Sequence, residues 1–69
     1  MVHDHYDRQM QYIIQLQHGN WRGYPYRCAL YRGAPAYPRS WKYITAGVGF
    51  SPDEARRQLN EPEGAVVKR

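Results

Sequence analysis

The sequence predicts an α+β domain in which a three-stranded antiparallel β-sheet is packed by one C-terminal helix, in the order β-β-β-α. Three observations carry that expectation. Apolar and polar residues alternate with period two over 10–17, two further runs rich in aromatic residues are bounded by Gly and Pro, and Ser51-Pro-Asp-Glu54 opens a helix.

In the first run Met10, Tyr12, Ile14 and Leu16 point one way, and Gln11, Ile13, Gln15 and Gln17 the other. This is the pattern of a half-buried strand. Gly19-Asn20 suits a tight hairpin turn, because glycine takes the positive φ that a type II′ turn demands. Pro25 has no N–H for a ladder, so the second strand starts there or lies on an edge. Over 26–32, Tyr26, Cys28 and Leu30 share the core face, leaving Arg27, Ala29 and Tyr31 outside. A Pro-punctuated loop fills 33–40. The third strand, 41–48, turns Ile44, Ala46 and Val48 inward and Trp41, Tyr43 and Thr45 outward, with Lys42 at its start. A slip of one residue there would exchange the two faces.

The helix start is the sharpest local signal. Ser51 is an N-cap, Pro52 takes the first helical position, Asp53 and Glu54 face the positive end of the dipole, and Glu54 completes a capping box. Phe50 and Ala55 occupy the hydrophobic-staple positions, and Asp53 with Arg57 makes an i,i+4 pair. The helix is expected to run to about Asn60, before Pro62 stops it.

A chain of 69 residues is one domain with a small core. The expected organisation is a flexible N-terminus over 1–8, a single domain over 9–60 and a C-terminal tail over 61–69, in which 65–67 either adds a short edge strand or frays. A core this small also invites a homodimer. Cys28 is the lone cysteine and no signal-peptide pattern is visible, so the expected location is cytoplasmic. No apolar run approaches the roughly 20 residues of a membrane helix, which argues against a membrane partner. A net charge of +4 favours acidic partners, nucleic acid first among them.

Charge is also segregated. From Arg8 to Pro52 the chain carries Arg8, Arg22, Arg27, Arg32, Arg39 and Lys42 without a single carboxylate, interleaved with nearly all of its aromatic side chains. The acids Asp4, Asp7, Asp53, Glu54, Glu61 and Glu63 lie outside that stretch. If the helix covers one sheet face, the other presents Gln11, Gln15, Gln17, Arg27, Tyr31, Trp41 and Tyr43. Gln can read adenine edges, Arg can grip guanine or phosphate, and Trp and Tyr can stack on bases. Arg22, Arg27, Arg32, Arg39 and Lys42 form a ladder suited to phosphates, and equally to an acidic protein surface. The nucleic-acid-binding set is therefore Arg22, Arg27, Arg32, Arg39, Lys42, Gln15, Gln17, Tyr31, Trp41 and Tyr43, with DNA or RNA as partner. The alternative is a small protein-binding regulator or inhibitor, of the kind phages encode, that docks on a host nucleic-acid enzyme.

No enzyme chemistry is legible. Cys28 inside an alternating strand reads as a small core residue, and no Ser/His/Asp order, glycine-rich phosphate cradle or paired carboxylates accompany it. His3, Asp4, His5 and Asp7 carry metal-binding donor types but lack a second shell to orient them. No catalytic residue, metal or cofactor is expected.

The order Asn20-Trp21, Tyr26-Arg27, Trp41-Lys-Tyr43, Gly49-Phe-Ser-Pro-Asp-Glu-Ala55 resembles the AP2-like, arm-type DNA-binding domains at the front of phage and transposon tyrosine recombinases. The likeness spans about 15–60. It implies a three-stranded sheet with one helix that enters the major groove by the sheet. The Pro-rich 33–40 loop and a third strand poor in basic residues depart from that pattern, and no recombinase catalytic domain follows. The resemblance thus implies a free-standing DNA-binding accessory or regulatory protein of a mobile element.

Overall fold

The structure, a computed structural model, describes residues 10–68. The flexible N-terminus expected over 1–8, with its His and Asp residues and Arg8, lies outside the described residues. The elements run β1 (Gln11–Trp21), β2 (Tyr24–Gly33), β3 (Lys42–Gly49), α1 (Pro52–Arg57) and β4 (Val66–Lys68), with a 3-10 turn at Pro38–Ser40.

The α+β expectation holds, but the sheet differs in two ways. It has four strands in the order β3-β2-β1-β4, and it is mixed. β1 pairs antiparallel with β2 and β2 with β3, whereas β4 runs parallel to β1, setting Val66 beside Ile13 and Val67 beside Ile14. Parallel pairing needs a crossover rather than a hairpin, and α1 with its flanking segments supplies one. The C-terminal tail therefore contributes a strand rather than fraying.

The hairpin turn falls at Arg22-Gly23 and not at Gly19-Asn20. Both turn residues have positive φ, 57° at Arg22 and 92° at Gly23, which is the signature of a type I′ turn. Asn20 Oδ1 accepts the Gly23 N–H at 2.8 Å and closes it. The ladder slips between His18 and Trp21, so that Gly19 and Asn20 together face Pro25. Pro25 has no N–H to give to a ladder, and the bulge lies opposite it. β3 ends at Gly49 opposite Tyr26, so Pro25 has no neighbour on its other side.

Faces alternate as expected on β1 and β2. Ile14, Cys28 and Leu30 form the core with Ala55 and Leu59, and Tyr12, Leu16, Tyr26 and Ala65 pack around them. On β3 the expected faces are exchanged. Thr45 lies opposite Leu30, Gly47 opposite Cys28 and Gly49 opposite Tyr26, all on the helix-bearing face. Ala46 and Val48 lie opposite Ala29 and Arg27 on the other face. A register shift places Tyr43 opposite Tyr31, with Ile44 as the extra residue, so Tyr43 still points away from the helix.

That exchange is what seats α1. A Cβ on Gly47 would collide with the Ala55 carbonyl oxygen, and one on Gly49 would lie 2.8 Å from the Ala55 nitrogen. The helix backbone therefore rests directly on β3, and Ala55 is fully buried. Ser51 caps as expected, its Oγ accepting the Glu54 N–H at 3.1 Å. Glu54 Oε1 reaches back to the Phe50 N–H at 3.1 Å rather than to that of Ser51. The staple does not form, because Phe50 is 67% exposed and its ring rests on Tyr24 at 4.9 Å.

The helix also ends at Arg57, short of Asn60. Gln58 has turned its side chain to accept the Val48 N–H at 3.0 Å, satisfying a donor on the sheet edge, and the Leu59 N–H bonds to the Arg56 carbonyl in a tighter turn. Among the described residues the helix ion pair is not Asp53–Arg57. Arg56 donates from Nε to Glu61 at 2.6 Å and from Nη2 at 3.1 Å, tying α1 to the segment leading into β4.

Two outcomes follow from this packing. Gly47→Ala should lower the unfolding free energy by about 2–3 kcal/mol in urea titration, the cost of overpacking against backbone. The Arg56 guanidinium holds the Glu61 carboxyl below its ordinary range by hydrogen bonding. A depressed carboxyl pKa contributes stability above the unfolded value of 4.5, and that contribution is lost as pH falls through the folded value. Solvent screening at this exposed pair limits the gain to about 0.5 kcal/mol. Glu61→Gln should accordingly reduce stability slightly at neutral pH and leave it unchanged once the carboxyl is protonated, as followed by thermal unfolding across pH.

Candidate nucleic-acid interface

The face of the sheet opposite α1 is built by the odd-numbered residues of β1 and β2. Gln15 pairs with Ala29, Gln17 with Arg27 and Ile13 with Tyr31. β3 adds Tyr43, Ala46 and Val48 beside them, and Lys68 of β4 lies opposite Gln15. Ile13 and Ala29 are fully buried although they sit on this face. The accessible part is therefore narrower than the alternation alone implies.

Its polar and aromatic groups are connected. Arg27 Nη1 donates to Gln17 Oε1 at 2.6 Å. The same guanidinium lies 5.6 Å from the centre of the Tyr43 ring. Tyr43 meets Tyr31 edge-on at 6.1 Å, and Tyr31 meets Trp41 at 5.5 Å. These contacts hold the guanidinium in place, and among the described residues Gln17 is its hydrogen-bond partner. Tyr43, 57% exposed, offers the most open ring of the row.

Trp41 is half-buried for a different reason. Its indole N–H donates to the Ala34 carbonyl at 2.7 Å, and its ring lies against Gly33, where a Cβ would come within 2.8 Å of it. Ser40 Oγ accepts the Ala34 N–H at 2.8 Å and donates to the Tyr37 carbonyl at 2.7 Å. The Pro-rich 33–40 segment is thus a fastened turn, with Trp41 as its anchor.

The arginine ladder is divided. Arg27 belongs to the open face, and exposed Arg22 sits at the hairpin tip beside it. Arg32 pairs with Lys42 on the helix-bearing face, where its guanidinium lies 4.7 Å from the Tyr12 ring. Arg39 is exposed on the 3-10 turn. The separation follows from strand parity, since Arg27 and Arg32 are an odd number of residues apart on one strand.

Trp21, Tyr24, Val48 and Lys68 were not among the site residues expected from the sequence. Trp21, Arg22, Tyr24, Arg27, Tyr43 and Val48 line a hollow of about 860 Å³ where the hairpin projects beyond β3. Trp21 is brought there by the bulge, its ring lying 3.0 Å from where a Gly19 Cβ would be. Gly23 was the local clue to that turn, and Lys68 could be placed only once β4 was known to be parallel.

None of the four strands carries a carboxylate: among the described residues Asp53 and Glu54 lie on α1, and Glu61 and Glu63 on the segment between α1 and β4. None of these residues forms a His/Cys/Asp/Glu cluster able to hold a metal ion. Cys28 is buried on the opposite face, where desolvation pushes its thiol pKa up, so it is a poor nucleophile. No described helix is long and apolar enough to cross a membrane. No family model, curated protein or solved structure matches this chain.

Proposed function

We propose that this chain is a small non-catalytic nucleic-acid-binding protein, of the accessory or regulatory kind, that binds through the sheet face opposite α1. The observation that carries this reading is the composition of that face. Arg27, Gln15, Gln17, Tyr31 and Tyr43 come together there with Arg22 and Lys68 at its margins, and none of the four strands carries a carboxylate. A field of one sign attracts a polyanion, and flat rings held beside a fixed guanidinium offer stacking surfaces for bases. Arg27 is the central phosphate ligand, with Arg22 and Lys68 flanking it. Arg32 and Lys42 lie on the helix-bearing face and Arg39 on the 3-10 turn, and they contribute to the surrounding field.

A specific feature favours a second reading. The exposed Phe50 ring resting on Tyr24 is the kind of aromatic corner that anchors protein partners, which suits a protein-binding regulator. Recovery of a stoichiometric partner from nuclease-treated lysate, lost in Phe50→Ala, would support it.

Salt decides between the two. With phosphate contacts from Arg22, Arg27 and Lys68, log affinity should fall against log salt with a slope of roughly −2 to −3 in fluorescence anisotropy. Arg27→Ala should reduce that slope by about 1. Absence of binding to any DNA or RNA at low salt would overturn the nucleic-acid reading.

A further inference from the structure

We propose that the hollow beside the hairpin tip seats an unpaired nucleobase, so that the chain selects single-stranded over duplex nucleic acid; this rests on the nucleic-acid reading above. The hollow, about 860 Å³, lies within the range of roughly 300–1,000 Å³ typical of ligand sites. It is lined by the aromatic residues Trp21, Tyr24 and Tyr43 together with Arg22 and Arg27. Aromatic rings take a base by its face, and guanidiniums beside them take the phosphate of the same nucleotide.

Duplex reading is disfavoured by what the face lacks. A base-edge reader needs free amide groups, yet the Gln17 carbonyl oxygen already accepts from Arg27, and Gln15 and Gln17 are both half-buried. A protein tracking two duplex backbones needs a row of cations, but Arg32 and Lys42 sit on the opposite face. What remains is the fixed Arg27 guanidinium, Arg22 at the turn, Lys68 at the far margin and a concave aromatic surface, which matches a short, flexible strand with splayed bases.

Anisotropy titrations of the full chain with labelled oligo(dT), oligo(U) and a duplex, each of about twelve nucleotides or base pairs, test this. At equal salt both single strands should bind about tenfold or more tightly than the duplex, and a difference between the two would show whether the ribose 2′-hydroxyl contributes. Tyr43→Ala, at an exposed position outside the Ile14–Cys28–Leu30 core, should weaken single-strand binding by roughly 5- to 100-fold. Tyr43→Phe, which keeps the ring, should bind like the parent. Equal affinity for duplex and single strands, with Tyr43→Ala weakening neither or both alike, would overturn the base seat while leaving nucleic-acid binding intact. Failure of all three probes to bind would overturn both.

Discussion

The approach of α1 to the glycines of β3 is the constraint on which the rest depends. With no side chains at Gly47 and Gly49, the helix backbone settles onto the strand and Ala55 is fully buried. That contact fixes the register of β3 against β2, because moving β3 by one residue would put Ala46 and Val48 beneath the helix, where there is no room for them. It also lets Gln58 reach the Val48 N–H, which ends the helix early and blunts the sheet edge. From there the chain crosses to β1 and adds β4 in parallel, the Arg56–Glu61 pair holding the turn of direction.

Placing the helix on one face sorts the charges. The described acids sit on α1 or on the segment that follows it, and Glu54 and Glu61 are engaged there with the Phe50 N–H and with Arg56. The opposite face keeps Arg27, Gln17 and the Tyr43–Tyr31–Trp41 row, joined by a hydrogen bond, a cation–π contact and ring contacts. A long hairpin extends past β3 and folds Trp21 and Tyr24 around the edge of this face. Core and candidate interface are thus separated by the sheet, and changing exposed Tyr43 leaves the Ile14–Cys28–Leu30 core untouched.

Much of this was legible in the residues. Strict alternation on β1 and β2 placed Ile14, Cys28 and Leu30 inward and Gln15, Gln17, Arg27 and Tyr31 outward. Ser51-Pro-Asp-Glu54 marked the helix start. The β3 register was not legible, because small residues occupy both of its faces over 46–49 and nothing local marks Ile44 as a bulge. The turn was misplaced because an Arg at φ 57° is unusual, and because the bulge at Gly19-Asn20, opposite Pro25, depends on pairing with the partner strand. β4 depends on pairing between residues at opposite ends of the chain, which local pattern does not encode. The split of Arg27 from Arg32 was available from parity alone, and the charge count obscured it.

The central claim, that the face opposite α1 is the binding surface, is tested most directly by amide chemical-shift mapping of isotope-labelled protein titrated with a single-stranded oligonucleotide. Perturbations are expected to concentrate at Gln15, Gln17, Arg27, Tyr31 and Tyr43 and around the Trp21–Tyr24 tip, with the amides of Glu54 to Gln58 unmoved. Perturbations centred on α1 and Phe50, or none at saturating oligonucleotide, would contradict it.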